Sequence, residues 1–120
     1  MMTDKPTIQG KTTIAADVLI TIAKLNALSV PGVSRLAQVS GGVDRLFQRG
    51  SNDGVRIDVE HNVVDIDLYV IIQGNTNVRE VSRNIQAQVT RAISEMVGMD
   101  VGRVDIHVED IDYTTSKVTS

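Results

Sequence analysis

The chain contains no cysteine. That excludes disulfides, thiol nucleophiles and thiolate metal sites together. Tryptophan is also absent, and Phe47, Tyr69 and Tyr113 make up the whole aromatic set, 2% of 120 residues. Base-stacking platforms and aromatic cages for cations therefore lack material. A basic excess is missing too. Lys and Arg number 12 against 15 Asp and Glu, a net charge of -3, which argues against a general nucleic-acid binder. No aliphatic run exceeds three residues, Val70-Ile71-Ile72 being one, where a membrane span needs about 20. Met1 to Gly10 places Asp4, Lys5 and Pro6 where a signal peptide needs an apolar stretch. The expected location is the cytoplasm, with any membrane association made through a partner and not by direct insertion.

What remains is an ordinary globular composition, 42% hydrophobic and 22% charged, sized for one domain. The expected organisation is a flexible arm over 1–7, a single α+β domain over 8–113 and a flexible polar tail over 114–120. There is no internal repeat. Ile8 to Ile14 suits a short extra strand. A helix is expected from about Ala15 to Leu28. Its core stripe would be Ile14, Val18, Ile22 and Leu25, widened by Leu19 and Ala23. Thr12 or Thr13 would cap it, Asp17 suits its dipole, and Pro31-Gly32 ends it. Val33 to Val39 reads as a weak strand. Ser40 to Gly54 reads as a long loop that Leu46 and Phe47 dock onto the body.

Val55 to Glu60 alternates, with Val55, Ile57 and Val59 on one side. Val63 to Gln73 alternates again, with Val64, Ile66, Leu68, Val70 and Ile72 on one side and Asp65, Asp67, Tyr69 and Gln73 on the other. His61-Asn62 between them predicts a hairpin with one buried face. From Val78 to Val97 the stripe Val78, Val81, Ile85, Val89, Ala92, Ile93 and Met96 predicts an amphipathic helix. Asn77 and Glu80 frame its start and Gly98 its end. In the last strand Val104, Ile106 and Val108 oppose Asp105, His107 and Glu109. The phase breaks at Glu109-Asp110, as at a β-bulge. Strand–helix–strand connection makes this strand parallel to the second hairpin strand. The fold class is thus α+β: a two-layer sandwich, two helices on one face of a small mixed sheet, core order αββαβ.

Motifs for chemistry are sparse. The glycines Gly41-Gly42, Gly50 and Gly54 are not followed by Gly-Lys-Ser/Thr, and no helix opens after them, so nucleotide patterns fail. Asp105, His107 and Glu109 alternate on one face with Asp65 and Asp67 nearby. A divalent ion would accept such donors, but alternating polar residues are what any solvated sheet face shows. No triad or carboxylate pair is selected. The reading is no enzyme, no cofactor and no metal. Arg79, Arg83 and Arg91 on the second helix, with Phe47, form the candidate interaction surface. An RNA-binding module with a KH-like element order is the alternative, although no Gly-x-x-Gly clamp joins the helices.

Charge is unevenly placed. Residues 57–73 hold Asp58, Glu60, Asp65 and Asp67 without Lys or Arg; residues 100–112 hold five acids against Arg103 alone. Together they carry -8, so the rest of the chain carries +5. This pattern fits complementary faces able to guide head-to-tail self-association, but keeping an open sheet face soluble is the simpler and preferred account of it.

Gly10 to Ala37 resembles the opening of the alkaline-shock-protein family of Gram-positive envelope stress response proteins. Val64 to Tyr113 resembles that family's most recognisable block: Asp67-Leu68-Tyr69, the helix start Asn77 to Gln86, the helix end Met96 to Gly98 and the strand Val104 to Val108. The Gly41 to Gly54 excursion and the short polar tail depart from it. The resemblance implies a non-enzymatic cytoplasmic protein of envelope homeostasis and stress tolerance. It also implies self-association into a homo-oligomer and a protein partner, a membrane anchor protein among the candidates. By element order the fold is similar to ring-building modules of secretion-type assemblies.

Overall fold

The computed structural model describes residues 14–38, 51–52 and 54–113. The elements run α1 (Ala16–Leu28), β1 (Val33–Leu36), β2 (Ser51–Asn52), β3 (Val55–Glu60), β4 (Val63–Gln73), α2 (Val78–Val97) and β5 (Asp100–Asp112). The hairpin β3–β4 forms where alternation demands it. Its turn residues His61 and Asn62 both take positive φ, 52° and 66°, which suits the right-handed twist of paired strands. Register then sets Ile57 opposite Ile66 and Val55 opposite Leu68. Val64, Ile66, Leu68, Val70 and Ile72 are wholly buried on one side of β4. Val59, near the hairpin tip, is instead exposed.

β4 is the hub of the mixed five-stranded sheet. One edge of β4 carries β3 over its first half and β1 over its second, both antiparallel. The Tyr69 backbone marks the junction: its N–H donates to Gly54 O at 2.9 Å and its carbonyl accepts from Ala37 N at 2.8 Å. The other edge carries β5, parallel, from Val63↔Asp100 to Gln73↔Asp112. β2 adds to the outside of β3. Both helices pack on the apolar face, so the two-layer α+β sandwich stands as the sequence indicates.

α2 starts and stops on its predicted residues. Asn77 Oδ1 accepts from Glu80 N at 3.0 Å, and Gly98 takes the left-handed conformation with φ 71°. Its stripe buries Val81, Ile85, Val89, Ala92 and Ile93, while the end members Val78 and Met96 are exposed. Gln86 Nε2 reaches Val104 O at 2.9 Å and ties the helix to β5.

α1 departs from expectation. It buries Leu19, Ile20, Ile22, Ala23 and Ala27. Val18 and Leu25, expected in the core stripe, are 45% and 61% exposed. Apolar residues lie on both sides of this helix, so periodicity alone could not choose the buried one. Thr12 and Thr13 lie outside the described residues; the N-cap is Ala15, without a side-chain hydrogen bond. The helix stops at Leu28, with Ser29 Oγ donating to Asn26 O at 2.8 Å. Asn26 and Gln88 link α1 to α2 through a 2.9 Å hydrogen bond.

Three smaller corrections follow. β1 ends at Leu36, short of Val39. The expected loop ends in a strand, β2, because Ser51 and Asn52 pair with Arg56 and Val55. β5 begins at Asp100, four residues before Val104. The proposed extra strand (Ile8 to Ile14), Leu46 and Phe47 fall outside the described residues, apart from Ile14, which precedes α1 and packs against the core.

Candidate interaction surface

Among the described residues no helix covers the second face of the sheet. Its side chains come from alternate positions of β4 and β5, and the parallel register sets them in rows: Asp65 with Arg103, Asp67 with Asp105, Tyr69 with His107. That register requires two bulges, one between Val64 and Asp65 and one between Val70 and Ile71. The second inserts Glu109 on β5, where the sequence phase breaks. The first leaves Gly102 opposite Asp65. A Cβ on Gly102 would stand 2.5 Å from Asp65 Oδ1, so only glycine lets that carboxylate approach.

The rows form two small networks. Arg103 Nε donates to Asp105 Oδ2 at 2.8 Å, and its Nη1 lies 3.8 Å from Asp65 Oδ2. The Asp105 hydrogen bond, then the charges of Asp105 and Asp65, raise the pKa of the Arg103 guanidinium above its ordinary value. It stays charged throughout the physiological range. His107 Nε2 lies 2.9 Å from Asp67 Oδ1, and its ring stacks on Tyr69 with centroids 4.5 Å apart. Further along, Ser34 Oγ donates to Asp112 Oδ2 at 2.6 Å, with Arg35 Nη1 3.4 Å from the same oxygen. The acidic strands are thus partly neutralised by Arg103 and Arg35.

Of the residues the sequence grouped for metal, Asp67 and His107 meet. Among the described residues no group of three or more metal-ligating side chains forms a site. Arg79, Arg83 and Arg91 are all exposed, but they do not converge. Arg79 and Arg83 lie on successive turns, while Arg91 lies about a third of a turn round the helix from Arg79. Arg91 instead lies 3.9 Å from Glu95 and lines an open groove of about 440 Å³ with Ser29, Pro31, Asn84 and Gln88. A second groove, about 290 Å³, runs beside α1 between Lys24, Leu28, Arg35 and Leu36. Neither groove holds a carboxylate or an imidazole. Sequence reasoning missed two features. Tyr69 supports His107, which only the register reveals. The outward apolar side of α1 would have shown in the 4-3-4-3 spacing of Ile14, Val18, Thr21, Leu25 and Leu28.

Comparison with known proteins gives a consistent result. A model of the alkaline shock protein 23 family, described as having a cell envelope-related function, matches residues 4–113. The chain is 25% identical over 116 residues to the uncharacterized protein YqhY of Bacillus subtilis (strain 168), covering 95% of this chain and 86% of YqhY. It is 32% identical over 103 residues to the uncharacterized protein Spy1535 of Streptococcus pyogenes serotype M6, covering 85% and 79%. Among solved structures, the copper form of the MamM CTD is similar with TM-score 0.57 at 13% identity, covering 80% of this chain and 86% of that one. The structure of MamM-CTD 215-293 gives TM-score 0.54 at 13% identity, covering 80% and 99%. At that identity the likeness is one of fold. Among the described residues no helix is long and apolar enough to cross a membrane.

Proposed function

The chain belongs to the alkaline shock protein 23 family, whose function is cell envelope-related, and from that premise we propose that it is a non-enzymatic scaffold of envelope stress response or homeostasis. It works in the cytoplasm through contacts with itself and with a protein partner, an envelope-anchored one being the natural candidate. The observation that carries the reading is the form of its polar surface. The ionisable groups of the sheet are spread along an open face and paired with one another, as Arg103 is with Asp65 and Asp105. Among the described residues they do not point together into a cleft, where catalysis concentrates perturbed groups. Among the described residues one groove offers Arg91 and another offers Lys24 with Arg35, and neither lining holds an acid–base pair.

The RNA-binding alternative needs a basic track. Among the described residues, separation of Arg91 from Arg79 and Arg83 leaves that track short. The test is cross-linking in living cells that make the tagged full-length chain, followed by purification and sizing. The expected product is an assembly well above 13.0 kDa containing an envelope-associated protein. A chain that stays monomeric and unaccompanied through growth and alkaline challenge would overturn the reading.

A further inference from the structure

Among the described strands β5 pairs with β4 alone, so one of its edges is bare. The ladder fixes which peptide groups line that edge. Asp100 N donates to Asn62 O at 3.3 Å, and Asp112 O accepts from Gly74 N at 2.9 Å, so both residues turn toward β4. Peptide groups alternate in direction along a strand. The bulges at Gly102 and Glu109 each shift that alternation by one. Val104, Ile106, Val108 and Ile111 therefore turn their N–H and C=O groups away from β4. The ends of this outward row are already occupied. Gln86 Nε2 donates to Val104 O at 2.9 Å, and Asp110 Oδ1 accepts from Ile111 N at 2.8 Å. Between them Ile106 and Val108 present N–H and C=O groups that have no partner among the described residues. We propose that residues 105–109 form a strand-addition site, and that its occupant is an extended segment of a protein partner in which apolar and basic residues alternate. The inference rests on the scaffold reading and specifies its partner contact.

The chemistry of the edge selects this occupant. Free backbone groups on alternate residues call for an extended chain, whose own groups recur at the same repeat. Side chains of such a chain alternate between the two faces of the sheet. On the helix face they meet Ile106, half-buried, and Val108, 37% exposed, so apolar residues fit there. On the other face they meet Asp105, whose side chain is 45% exposed, with Glu109 and Asp110 exposed beyond it. β5 carries five acids against Arg103 alone, and Arg103 is already held by Asp105 and Asp65. Basic residues therefore complement this side. A second copy does not fit: edge-to-edge pairing would set one acidic β5 against another, and like charges across strands repel. The carboxylates that guard the edge against self-pairing thus admit a cationic strand. The open stretch is short, about five residues or 17 Å, so the contact is weak and reversible.

Amide exchange followed residue by residue by NMR on the full chain tests the site, with the capped peptide Lys-Val-Lys-Val-Lys-Val-Lys as probe. At about ten times its dissociation constant, the peptide is expected to slow exchange at Ile106 and Val108 about tenfold and leave His107, which faces β4, unchanged. The same peptide N-methylated throughout keeps its charges and cannot donate; it is expected to protect neither amide. Equal protection by it would reduce the contact to charge attraction and overturn the proposal. Val108→Pro removes an outward N–H, and Glu109→Lys reverses an exposed charge; each is expected to weaken binding severalfold. Glu109→Lys carries the test if Val108→Pro fails to fold, and a Glu109→Lys chain that binds as tightly as the wild type removes the charge argument. Slow exchange at Ile106 and Val108 without peptide would mean that the chain's own residues already cover the edge. Protection that grows with protein concentration alone would make a second copy the occupant. Either result refutes the proposal. If the peptide gives no protection while cross-linking in cells captures an envelope protein, the strand site falls and the scaffold reading stands. Failure of that capture overturns the scaffold reading separately.

Discussion

Two glycines separate what a side chain costs from what a backbone costs. Gly98 has φ 71° and open space where a Cβ would stand. Gly98→Ala should therefore lose only the conformational preference, about 1 kcal/mol. Gly54 has φ 84°, and its Cβ would stand 2.5 Å from Ala37 O and 3.0 Å from Tyr69 O. Those carbonyls belong to the junction that holds β1 and β3 against β4. They are backbone and cannot swing aside, so Gly54→Ala should cost clearly more, about 2 kcal/mol or above. Urea unfolding of the two variants side by side checks the order; equal losses would mean the junction is looser than its geometry. Arg103 makes a different point. It is the lone cation on two strands where Asp67 faces Asp105 directly, and like charges so placed repel. Arg103→Ala should lower the urea midpoint at low ionic strength and recover most of it when salt screens the carboxylates. The raised guanidinium pKa puts loss of this pairing far into the alkaline range. A midpoint deficit that salt does not relieve would assign Arg103 a packing role instead.

At the scale of elements, α1 and α2 show what a helix needs at its start. α2 has Asn77, and removing that oxygen should cost about 1 kcal/mol. α1 has Ala15 in the extended conformation of a cap, φ -68° and ψ 146°, with nothing to accept the first N–H groups from its side chain. Ala15→Ser should supply the missing acceptor and stabilise the protein by about 1 kcal/mol, read as a higher melting midpoint. No gain would mean that another group already satisfies those N–H groups. The same pair of helices shows how far sequence reaches. α2 and the hairpin were legible because each is apolar on one side only, so Ile85 and Ile66 could face only inward. In α1, Leu19 and Leu25 have the same chemistry and lie about a third of a turn apart, one buried and one exposed. What decides between them is the hydrogen bond of Asn26 to Gln88 and the burial of Ala23 and Ala27 in the core, which no local pattern encodes. The bulge at Glu109 announced itself as a phase break. The one at Gly102 did not, since no alternation precedes it. Without it the register of β5 is unknown, and so are the meeting of His107 with Asp67 and Tyr69 and that of Arg103 with Asp65.

The whole molecule is organised around β4. Its hairpin partner β3 and two strands remote in sequence, β1 and β5, each register on it, and five of its side chains are wholly buried beneath the helices. Its backbone groups are bonded along both edges, whereas β5 pairs with β4 alone among the described strands. Opening an amide of β4 therefore means separating it from two neighbours and disturbing the core that Ile85, Val89 and Ile93 press onto it. Exposing an outward amide of β5 requires neither. Hydrogen exchange should accordingly be slowest between Ile66 and Val70, at rates set by global unfolding. It should be fastest among strand amides on the outer edge of β5, where bulges and acidic side chains also discourage pairing with another chain. α1 should fall between, since its core side is buried and its outer stripe is not. Protection along the outer edge of β5 as strong as that of β4 would mean that another strand covers this edge, as in strand addition.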